Sequence, residues 1–480
     1  MKKYSLLILL VLACAVRLYH INSPIIGVHS WRQADTAAIA RNFYENGYKF
    51  LYPQIDWGGA SAGHVESEFP LYSFVVALFY QLSGVQEFWG RLLSVIFSLV
   101  SIYFLYLLVK KFTDSNTAFW SAFFYGFLPL NIFYSRTFMP ESAMLLCSIL
   151  GVYLFSVWLD APKLRYFLLS LIFIALAGLL KISNLYLGLP LFYLAWLKFG
   201  KKVIFQWSLW VYAVLVFLAV GLWYYHAHQI FLESGLSFNI WGYGTDKWGN
   251  WNLVATREYW THLFFSYLTG IHFTWIGFPI FFTGLFLKTL NQKEKLFDFW
   301  LLGVLVFFVI VGRGNFVHEY YQLPFMIPAA VYMGKVYGRY FDWKFWESRK
   351  ALILAVALLG ILAFGSQRYF LYLKAEDPET SEIFKLAQQV KEKTEKNSLV
   401  VAVDGNDPTL LYLCHRKGWH FLWEEADEKF LKEKIQKGAK YVTGIYGYLD
   451  EARQQKLKIL LSNYELLWEE GDSFIVKLAD

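Results

Sequence analysis

Cysteine and charge are both scarce in this chain of 480 residues, and each scarcity excludes a class of protein. The three cysteines, Cys14, Cys147 and Cys414, lie far apart, so they predict neither a disulfide framework nor a metal cluster. Charged residues make up 17% of the chain and hydrophobic residues 57%, which is not the composition of a soluble protein. The net charge of +7 is spread over short Lys and Arg groups, which argues against a nucleic-acid partner.

Long apolar runs predict a polytopic α-helical membrane protein. Lys and Arg collect at alternate ends of these runs, which orients about eleven spans with a cytoplasmic N-terminus and an outer C-terminus. The short loops and the start Met1-Lys2-Lys3 favour the inner (plasma) membrane of a bacterium or archaeon. The predicted spans are Tyr4–Tyr19, Phe88–Val109, Ala118–Tyr134, Ser142–Leu159, Tyr166–Leu180, Leu185–Leu197, Val203–Tyr225, His262–Leu287, Leu296–Val311, Leu323–Tyr340 and Ala351–Phe370.

One apolar run, Pro70–Leu82, is too short to span a bilayer and is predicted to be a juxtamembrane helix. If this run crossed the membrane, Lys110 and Lys111 would lie outside and every later basic cluster would be inverted. With the run placed in the interface, a single orientation rule accounts for all the basic clusters of the chain.

The composition changes near residue 373 to Glu, Lys, Asp and Gln, which predicts a small extracytoplasmic α/β domain over 373–480. The membrane domain is then 1–372, with outer loops over 20–87 and 226–261. Because the C-terminal domain has no Gly-rich phosphate loop, we interpret it as a cap or recognition module. Its predicted strands are Ser398–Asp404, Tyr441–Tyr446 and Ser473–Leu478, and its predicted helices are Pro408–His415 and Asp450–Leu461.

Polar and ionisable residues collect at the predicted outer face, where they are not needed for solubility. Arg and Lys at a bilayer surface suit a phosphate or pyrophosphate, and a nearby carboxylate suits a general base. An inverting glycosyl transfer needs one acid on the acceptor side and cations on the donor side. The candidate catalytic residues are Asp35 and Glu141, and the candidate substrate- or phosphate-binding residues are Arg32, Glu68, Arg91, Arg136, Lys181, His318, Tyr320 and Tyr321.

Each of these residues also has a structural interpretation. A single charged side chain in a loop is usually solvated or anchors a helix at the interface. Asp35 lies three residues after Arg32, so an ion pair on one helix face would also explain it. Glu141 follows Pro140, so stabilising the start of a helix would be a sufficient role for it. Their convergence on one predicted face favours the functional interpretation.

Four segments resemble the integral-membrane GT-C glycosyltransferases, in the branch of the protein O-mannosyltransferases and the lipid A aminoarabinose (ArnT-like) transferases. These segments are WRQADTAAIARNF, ESEFPLYSFVVALFYQLSGVQEFWGRLLS, FLPLNIFYSRTFMPES and HEYYQLPFMIPAA. The resemblance implies a GT-C helical bundle with juxtamembrane helices, acting in the cell envelope as an inverting hexosyl- or pentosyltransferase with a polyprenyl-phosphate-linked sugar donor. Asp35 would be the catalytic acid of the first outer loop, and Glu141 the acid after Arg-x-x-x-Pro. Arg91 would match a cation at the start of the second span, and Lys181 and His318 would face the lipid phosphate.

The chain departs from this family at two points: Ala34 precedes Asp35 where many members have a second acid, and Glu68-Phe69-Pro70 replaces a basic residue before a proline pair. Members of this family divide on the use of a divalent metal, so the sequence leaves a metal cofactor open. The acceptor could be a glycan, a lipid or a protein, and Trp241 to Trp251 are expected to shape its pocket.

A transporter or flippase for lipid-linked sugars is the main alternative, and it predicts polar groups and broken helices at the bilayer midplane. In this sequence the charges lie instead at the ends of the spans. A membrane scaffold that presents the C-terminal domain is a third possibility, but it would not need an acid in the first outer loop.

Overall fold

The computed structural model describes residues 4–238, 248–341, 344–421 and 427–479. The chain divides into two compact units. The first, here called the helical unit, comprises Met1–Ile21, Arg91–His226 and Asn239–Leu371. The second, here called the α/β unit, joins Tyr372–Asp480 to Asn22–Gly90 and Ala227–Phe238, two segments that the sequence assigned to the membrane domain.

The α-helices are α1 Ser5–Leu18, α2 Ser30–Asn46, α3 Leu71–Ser83, α4 Glu87–Phe112, α5 Ser115–Phe127, α6 Pro129–Tyr134, α7 Glu141–Asp160, α8 Leu164–Leu180, α9 Gly188–Phe199, α10 Trp207–Ser234, α11 Trp251–Val254, α12 Arg257–Thr261, α13 Gly277–Phe286, α14 Leu296–Ile310, α15 Gly312–Val317, α16 Met326–Tyr340, α17 Arg349–Lys374, α18 Glu382–Lys393, α19 Thr409–Cys414, α20 Glu428–Gln436 and α21 Glu451–Leu461. A π-helix covers His262–His272, and 3₁₀ segments cover Ile182–Leu187, Gly200–Phe205, Gln292–Lys295, Glu319–Phe325, Phe345–Glu347 and Tyr446–Tyr448.

Four helices of the described residues, α4, α7, α10 and α17, are long and apolar enough to cross a membrane. A fifth candidate is a pair of helices, Arg257–His272 and Gly277–Phe286, that meet at an angle of 112°. The chain therefore breaks between the π-helix and α13, within the predicted span His262–Leu287, and a single crossing by this segment stays a prediction. Shorter apolar helices include α1, α3 and α8, and the total of about eleven spans stays a prediction.

Prolines divide two other predicted spans into shorter helices. The predicted span Ala118–Tyr134 is split into α5 and α6 at Leu128, which is extended at ψ 139° because Pro129 follows it. The predicted span Leu323–Tyr340 begins as a 3₁₀ segment that contains Pro324 and becomes α-helical only at Met326. Proline removes a helical hydrogen bond and clashes with the preceding turn, so the continuous hydropathy hides a break.

Small residues bring α5 and α16 close together in the helical unit. A Cβ atom at Gly334 would lie 2.6 Å from the backbone nitrogen of Ser121, and one at Gly338 would lie 2.7 Å from that of Thr117. Glycines four residues apart are typical of helices that pack backbone to backbone in membranes. We therefore attribute the packing of this pair to Gly334 and Gly338.

The α/β unit is built on a five-stranded sheet in the order β2-β1-β3-β5-β4. Strand β1 is parallel to β2 and β3, and β5 is antiparallel to β3 and β4. The three predicted strands and two predicted helices are confirmed, whereas β2, β4, α18 and α20 were not predicted. The strands are β1 Leu399–Val403, β2 Gly418–His420, β3 Ala439–Ile445, β4 Glu465–Glu470 and β5 Ser473–Lys477.

The first loop is tied to this sheet by backbone and buried polar contacts. The backbone N–H of Gly418 donates to the carbonyl of Asp56 at 2.9 Å, and the N–H of Gly59 donates to the carbonyl of Gly418 at 2.7 Å. Arg41 forms a buried ion pair with Asp56 and also donates to the carbonyl of Tyr412 at 3.0 Å. These contacts make α2 part of the α/β unit.

Candidate functional site

Asp35 lies in the first half of α2, with only 6% of its surface exposed. The helix begins after His29, whose backbone is left-handed at φ 52°. The indole Nε1–H of Trp57 donates a hydrogen bond of 3.0 Å to Asp35 Oδ1. A buried carboxyl group is therefore held by a neutral donor rather than by a cation.

Burial raises the pKa of Asp35 to about 7. The hydrogen bond from Trp57 and the charges of His420 and Arg32 act in the opposite direction, and the charge of Asp407 adds to the increase. A general base is most effective when its pKa lies near the working pH, because it is then both ionised and basic enough to take a proton. Asp35 has that property, which an exposed aspartate would lack.

Trp57 is itself positioned by strand β2. Its indole ring lies 5.5 Å from the imidazole ring of His420, centroid to centroid. The neighbouring turn fits closely against the same strand, since a Cβ atom at Gly59 would lie 2.1 Å from the Trp419 indole nitrogen. Gly59 also has φ +64°, so both the space and the backbone conformation favour glycine there.

His420 and Asp404 form a buried pair next to Trp57. The imidazole Nδ1 lies 2.9 Å and 3.0 Å from the two carboxylate oxygens of Asp404. Burial opposes protonation of His420, but Asp404, with Asp35 and Asp407, raises its pKa above the ordinary value. The sequence analysis missed Trp57 and His420 as site residues, and it gave Asp404 only as the last residue of a predicted strand.

Arg32 and Glu68 form an ion pair in which Arg32 Nη2 lies 2.7 Å from Glu68 Oε1 and Oε2. The guanidinium also lies 5.4 Å from the centre of the Phe238 ring. The alternative in which Asp35 serves to pair with Arg32 loses its support, because Arg32 pairs with Glu68. These two residues belong to the same unit as Asp35 and fix the start of α2 to the segment before α3.

Glu141 and Lys181 form the corresponding pair of the helical unit. Lys181 Nζ lies 3.2 Å from Glu141 Oε1, and Glu141 is buried at the start of α7. The ammonium group also lies 4.9 Å from the ring centre of Tyr320 and 4.2 Å from that of Tyr321. A cation held on aromatic faces in a poorly hydrated setting attracts an anion more strongly than it would in water.

His318 joins this cluster through the same tyrosines. Its ring lies 5.4 Å from that of Tyr320 and 5.8 Å from that of Tyr321, centre to centre. Glu319, which lies between His318 and Tyr320 in the sequence, accepts a hydrogen bond of 2.8 Å from the hydroxyl of Tyr134. The 3₁₀ segment Glu319–Phe325 places these neighbouring residues together, a geometry that the sequence did not predict.

Arg91 and Arg136 are fully buried near the start of α4 and before α7. Arg136 Nη2 donates to the carbonyl of His20 at 2.6 Å. One turn after Arg91, the hydroxyl of Ser94 donates to the carbonyl of Thr137 at 2.8 Å, which packs the start of α4 against the short loop that holds Arg136. Buried guanidinium groups at this place are costly unless they serve a ligand or a structural network.

The structure thus places the ten predicted site residues in two sets. Arg32, Asp35 and Glu68 lie in the α/β unit, and the other seven lie in the helical unit. Among the described residues, no group of three His, Cys, Asp or Glu side chains is arranged to hold a metal ion. Of the predicted pocket residues Trp241 to Trp251, positions 241–247 lie outside the described residues, and Trp251 begins α11.

Comparisons with known proteins agree with this fold. Residues 67–225 match the family model of the dolichyl-phosphate-mannose-protein mannosyltransferases. An uncharacterised protein of Aquifex aeolicus is 26% identical over 408 residues, which cover 81% of this chain and 85% of that protein.

Two solved structures share the fold over nearly the whole chain. ArnT from Cupriavidus metallidurans, bound to undecaprenyl phosphate, has a TM-score of 0.69 at 12% identity and covers 99% of this chain and 98% of its own. The oligosaccharyltransferase of Archaeoglobus fulgidus has a TM-score of 0.62 at 13% identity, over 100% of this chain and 77% of its own. The GT-C-like helical fold with a small C-terminal sheet domain, which the resemblance implied, is therefore confirmed.

Proposed function

We propose that this GT-C chain transfers a sugar from a polyprenyl-phosphate-linked donor to an acceptor at the outer face of the membrane, with inversion at the anomeric carbon. The observation that carries the proposal is the buried carboxyl group of Asp35, held by Trp57 and with a pKa of about 7. A scaffold role for the first loop would not require a carboxyl group in such a costly position.

In the proposed step, Asp35 acts as the general base. As the acceptor oxygen or nitrogen forms its bond to the anomeric carbon, its proton passes to the carboxylate of Asp35. The bond between the anomeric carbon and the phosphate oxygen breaks at the same time, and the electron pair leaves with the polyprenyl phosphate. The phosphate is a good leaving group without strong acid help, so one base is sufficient for this displacement.

The cations of the helical unit suit the donor phosphate. Lys181 carries its charge on the faces of Tyr320 and Tyr321, and His318 stacks on the same rings. Arg91 and Arg136 add two buried guanidinium groups to this unit. Undecaprenyl phosphate in the ArnT structure and dolichol-phosphate in a structure of the archaeal oligosaccharyltransferase AglB support a lipid phosphate as the ligand.

Glu141, Arg32 and Glu68 act in this proposal through their partners. Glu141 is paired with Lys181, so it fixes the ammonium group against the phosphate rather than taking a proton. Arg32 and Glu68 lock the first turn of α2, and this sets the direction in which Asp35 extends from the helix. Each of these three is therefore a positioning residue.

A flippase for lipid-linked sugars is the second candidate, and the broken helix pair that meets at 112° favours it. A flippase moves its lipid without forming a product. The two candidates are therefore separated by whether a glycosidic bond is made.

The test is transfer from radiolabelled polyprenyl-phosphate sugars by purified protein in nanodiscs, with glycan, lipid and peptide acceptors. We expect Asp35→Asn to lower turnover by about 10²–10⁴-fold, the usual contribution of a general base, while donor binding is retained. The matched control is Glu45→Gln, which changes an exposed acid on the same helix and should keep full turnover. Full turnover in Asp35→Asn would refute the base, and lipid reorientation without any product would favour the flippase.

A further inference from the structure

A cleft of about 670 Å³ opens in the α/β unit and shares Asp404 with the His420–Asp404 pair described above. It is lined by Asp404, Gly405 and Asp407, which directly follow strand β1, and by Tyr448, which follows β3. Ser30, the first residue of α2, and Glu382, the first residue of α18, also line it. The volume is in the range of sites for small molecules.

The cleft lies where ligands bind in α/β sheets. From β1 the chain passes to β2 on one side, and it returns to form β3 on the other side of β1. The connections therefore leave β1 and β3 in opposite directions, and the loops at their carboxyl ends part to form a crevice. Asp404–Asp407 and Tyr448 are the residues at those two carboxyl ends. The position of the cleft therefore follows from the strand order and does not depend on the charge of its lining residues.

The lining residues select the chemistry of the ligand. Asp404, Asp407 and Glu382 supply carboxylates, and Ser30 and Tyr448 supply hydroxyls. Among the described residues that line the cleft, none is a lysine, arginine or histidine. Carboxylates accept hydrogen bonds from hydroxyls and from protonated amines, and they repel a phosphate.

The cleft is also close enough to Asp35 to act on it. Ser30 and Asp35 lie on the first turns of one helix, and the charge of Asp407 raises the pKa of Asp35. Asp404 holds His420, whose ring packs on the indole that donates to Asp35. A ligand in the cleft would therefore lie beside the residues that hold Asp35 in place.

We propose that this cleft binds the acceptor, and that the acceptor is a polyhydroxylated molecule with a protonated amine, of the hexosamine-glycan type. Asp407 and Glu382 bind the amine, and Tyr448 covers one face of the sugar ring. The inference rests on the proposed function only in naming the ligand an acceptor, because the cleft and its ligand class follow from the α/β unit itself.

The test measures binding without any donor, so it does not depend on turnover. Isothermal titration calorimetry of the full chain in nanodiscs at pH 7 compares a glucosamine dimer with cellobiose and with glucose 6-phosphate. We expect the glucosamine dimer to bind at least about tenfold more tightly than cellobiose, since amine–carboxylate hydrogen bonds are the stronger ones. Glucose 6-phosphate should show no heat of binding. In 0.5 M salt, where the screening length is about 4 Å, binding of the glucosamine dimer should weaken.

Two variants locate the binding site. Asp407→Asn and Tyr448→Ala should each weaken the glucosamine dimer by at least about tenfold, because each removes a direct contact. Glu465→Gln, an exposed acid on β4 at the edge of the same sheet, should leave binding unchanged. Thermal unfolding of each variant shows that the loss is not a loss of the fold.

Three results would overturn the proposal: no binding of the glucosamine dimer, equal or tighter binding of cellobiose or glucose 6-phosphate, or unchanged binding in Asp407→Asn and Tyr448→Ala. Failure of the proposed function gives a different result, because binding in the cleft would persist in a protein that makes no glycosidic bond.

Discussion

The two acids proposed for the site differ in what holds them. Asp35 in the α/β unit accepts a hydrogen bond from a neutral indole, whereas Glu141 in the helical unit is paired with Lys181. The Lys181 ammonium group therefore occupies one carboxylate oxygen of Glu141, and Glu141 holds that group in place. A neutral partner in a buried setting leaves the carboxyl group near the point of ionisation. The difference teaches that the partner of each acid, rather than its distance from a membrane, separates a base from a positioning residue.

The largest expected effect is the contrast between Asp35→Asn and Glu141→Gln. Loss of the base should lower kcat by about 10²–10⁴-fold with little change in donor affinity. Loss of Glu141 should act mainly on KM for the donor, because it only fixes Lys181. Steady-state kinetics of the two variants under the same conditions tests the contrast, and equal losses of kcat would remove it.

Lys181→Met should weaken donor lipid binding by about tenfold or more, because a phosphate loses a charge-assisted contact. The same variant leaves Glu141 buried without its cation, so the melting temperature of the variant protein should also fall. The double variant Lys181→Met with Glu141→Gln should restore much of the melting temperature but not the affinity. If the double variant regained donor affinity, Lys181 would be a structural residue only.

Trp57→Phe should shift the acid limb of the pH–rate profile to higher pH. The indole hydrogen bond lowers the pKa of Asp35, so its removal makes the carboxyl group harder to ionise. The charged groups that act on Asp35 are His420, Arg32 and Asp407, and all three are unchanged in this variant. We expect a loss of a few fold in kcat/KM at pH 6.5 that diminishes at pH 8.5.

The matched control is Trp89→Phe, which removes another indole donor, to Ser83 at 2.8 Å, in the same unit. Its pH–rate profile should keep the position of the wild type. A loss in Trp57→Phe that is equal at all pH values would mean that the indole acts only on the fold.

The smallest effect concerns stability. The pKa of Asp35 is about 7 in the folded chain against 3.8 ordinarily, so between those pH values the folded state binds more protons than the unfolded state. The stability due to this group is therefore greatest below about pH 4 and falls as the pH rises to about 7. Asp35→Asn avoids the cost of a buried charge and should raise the melting temperature at pH 8 more than at pH 5.

The expected gain at pH 8 is of the order of 1–4 kcal/mol, because one pKa unit corresponds to about 1.4 kcal/mol. Differential scanning fluorimetry in the same nanodiscs measures it. A gain that is the same at both pH values would show that Asp35 is not the group that titrates, and a lower melting temperature in Asp35→Asn would mean that the carboxylate stabilises the fold.

Local patterns in the sequence were sufficient for most of the apolar helices, for α19 and α21, and for three of the strands. Apolar runs lie close to the helices found, and SLVVAVD lies over β1, because burial on both faces leaves a continuous apolar run. The breaks at Leu128 and in the pair around Gly277 were missed, since hydropathy counts apolar residues and takes no account of a bend. Strand β2 was missed because it is three residues long and carries a histidine.

The candidate site was predicted residue by residue but not contact by contact. Asp35, Glu141 and Lys181 could be chosen by residue type and by their place at the ends of apolar runs. The contacts that give them different roles join parts of the chain that are distant in sequence. The contact of Arg41 with Tyr412, for example, joins residues that are 371 positions apart. No periodicity in a single sequence reports such a contact, so Trp57 and His420 became visible only in the fold.

The measurement that tests the central claim most directly is the pH–rate profile of the wild-type protein, followed as kcat/KM for the donor sugar in nanodiscs. A single base with the pKa of Asp35 predicts an acid limb of unit slope with a midpoint near pH 7, above which the rate levels off. A rate that stays constant from about pH 5.5 to 8.5 would contradict the assignment, because no carboxyl group with that pKa would then take the proton from the acceptor.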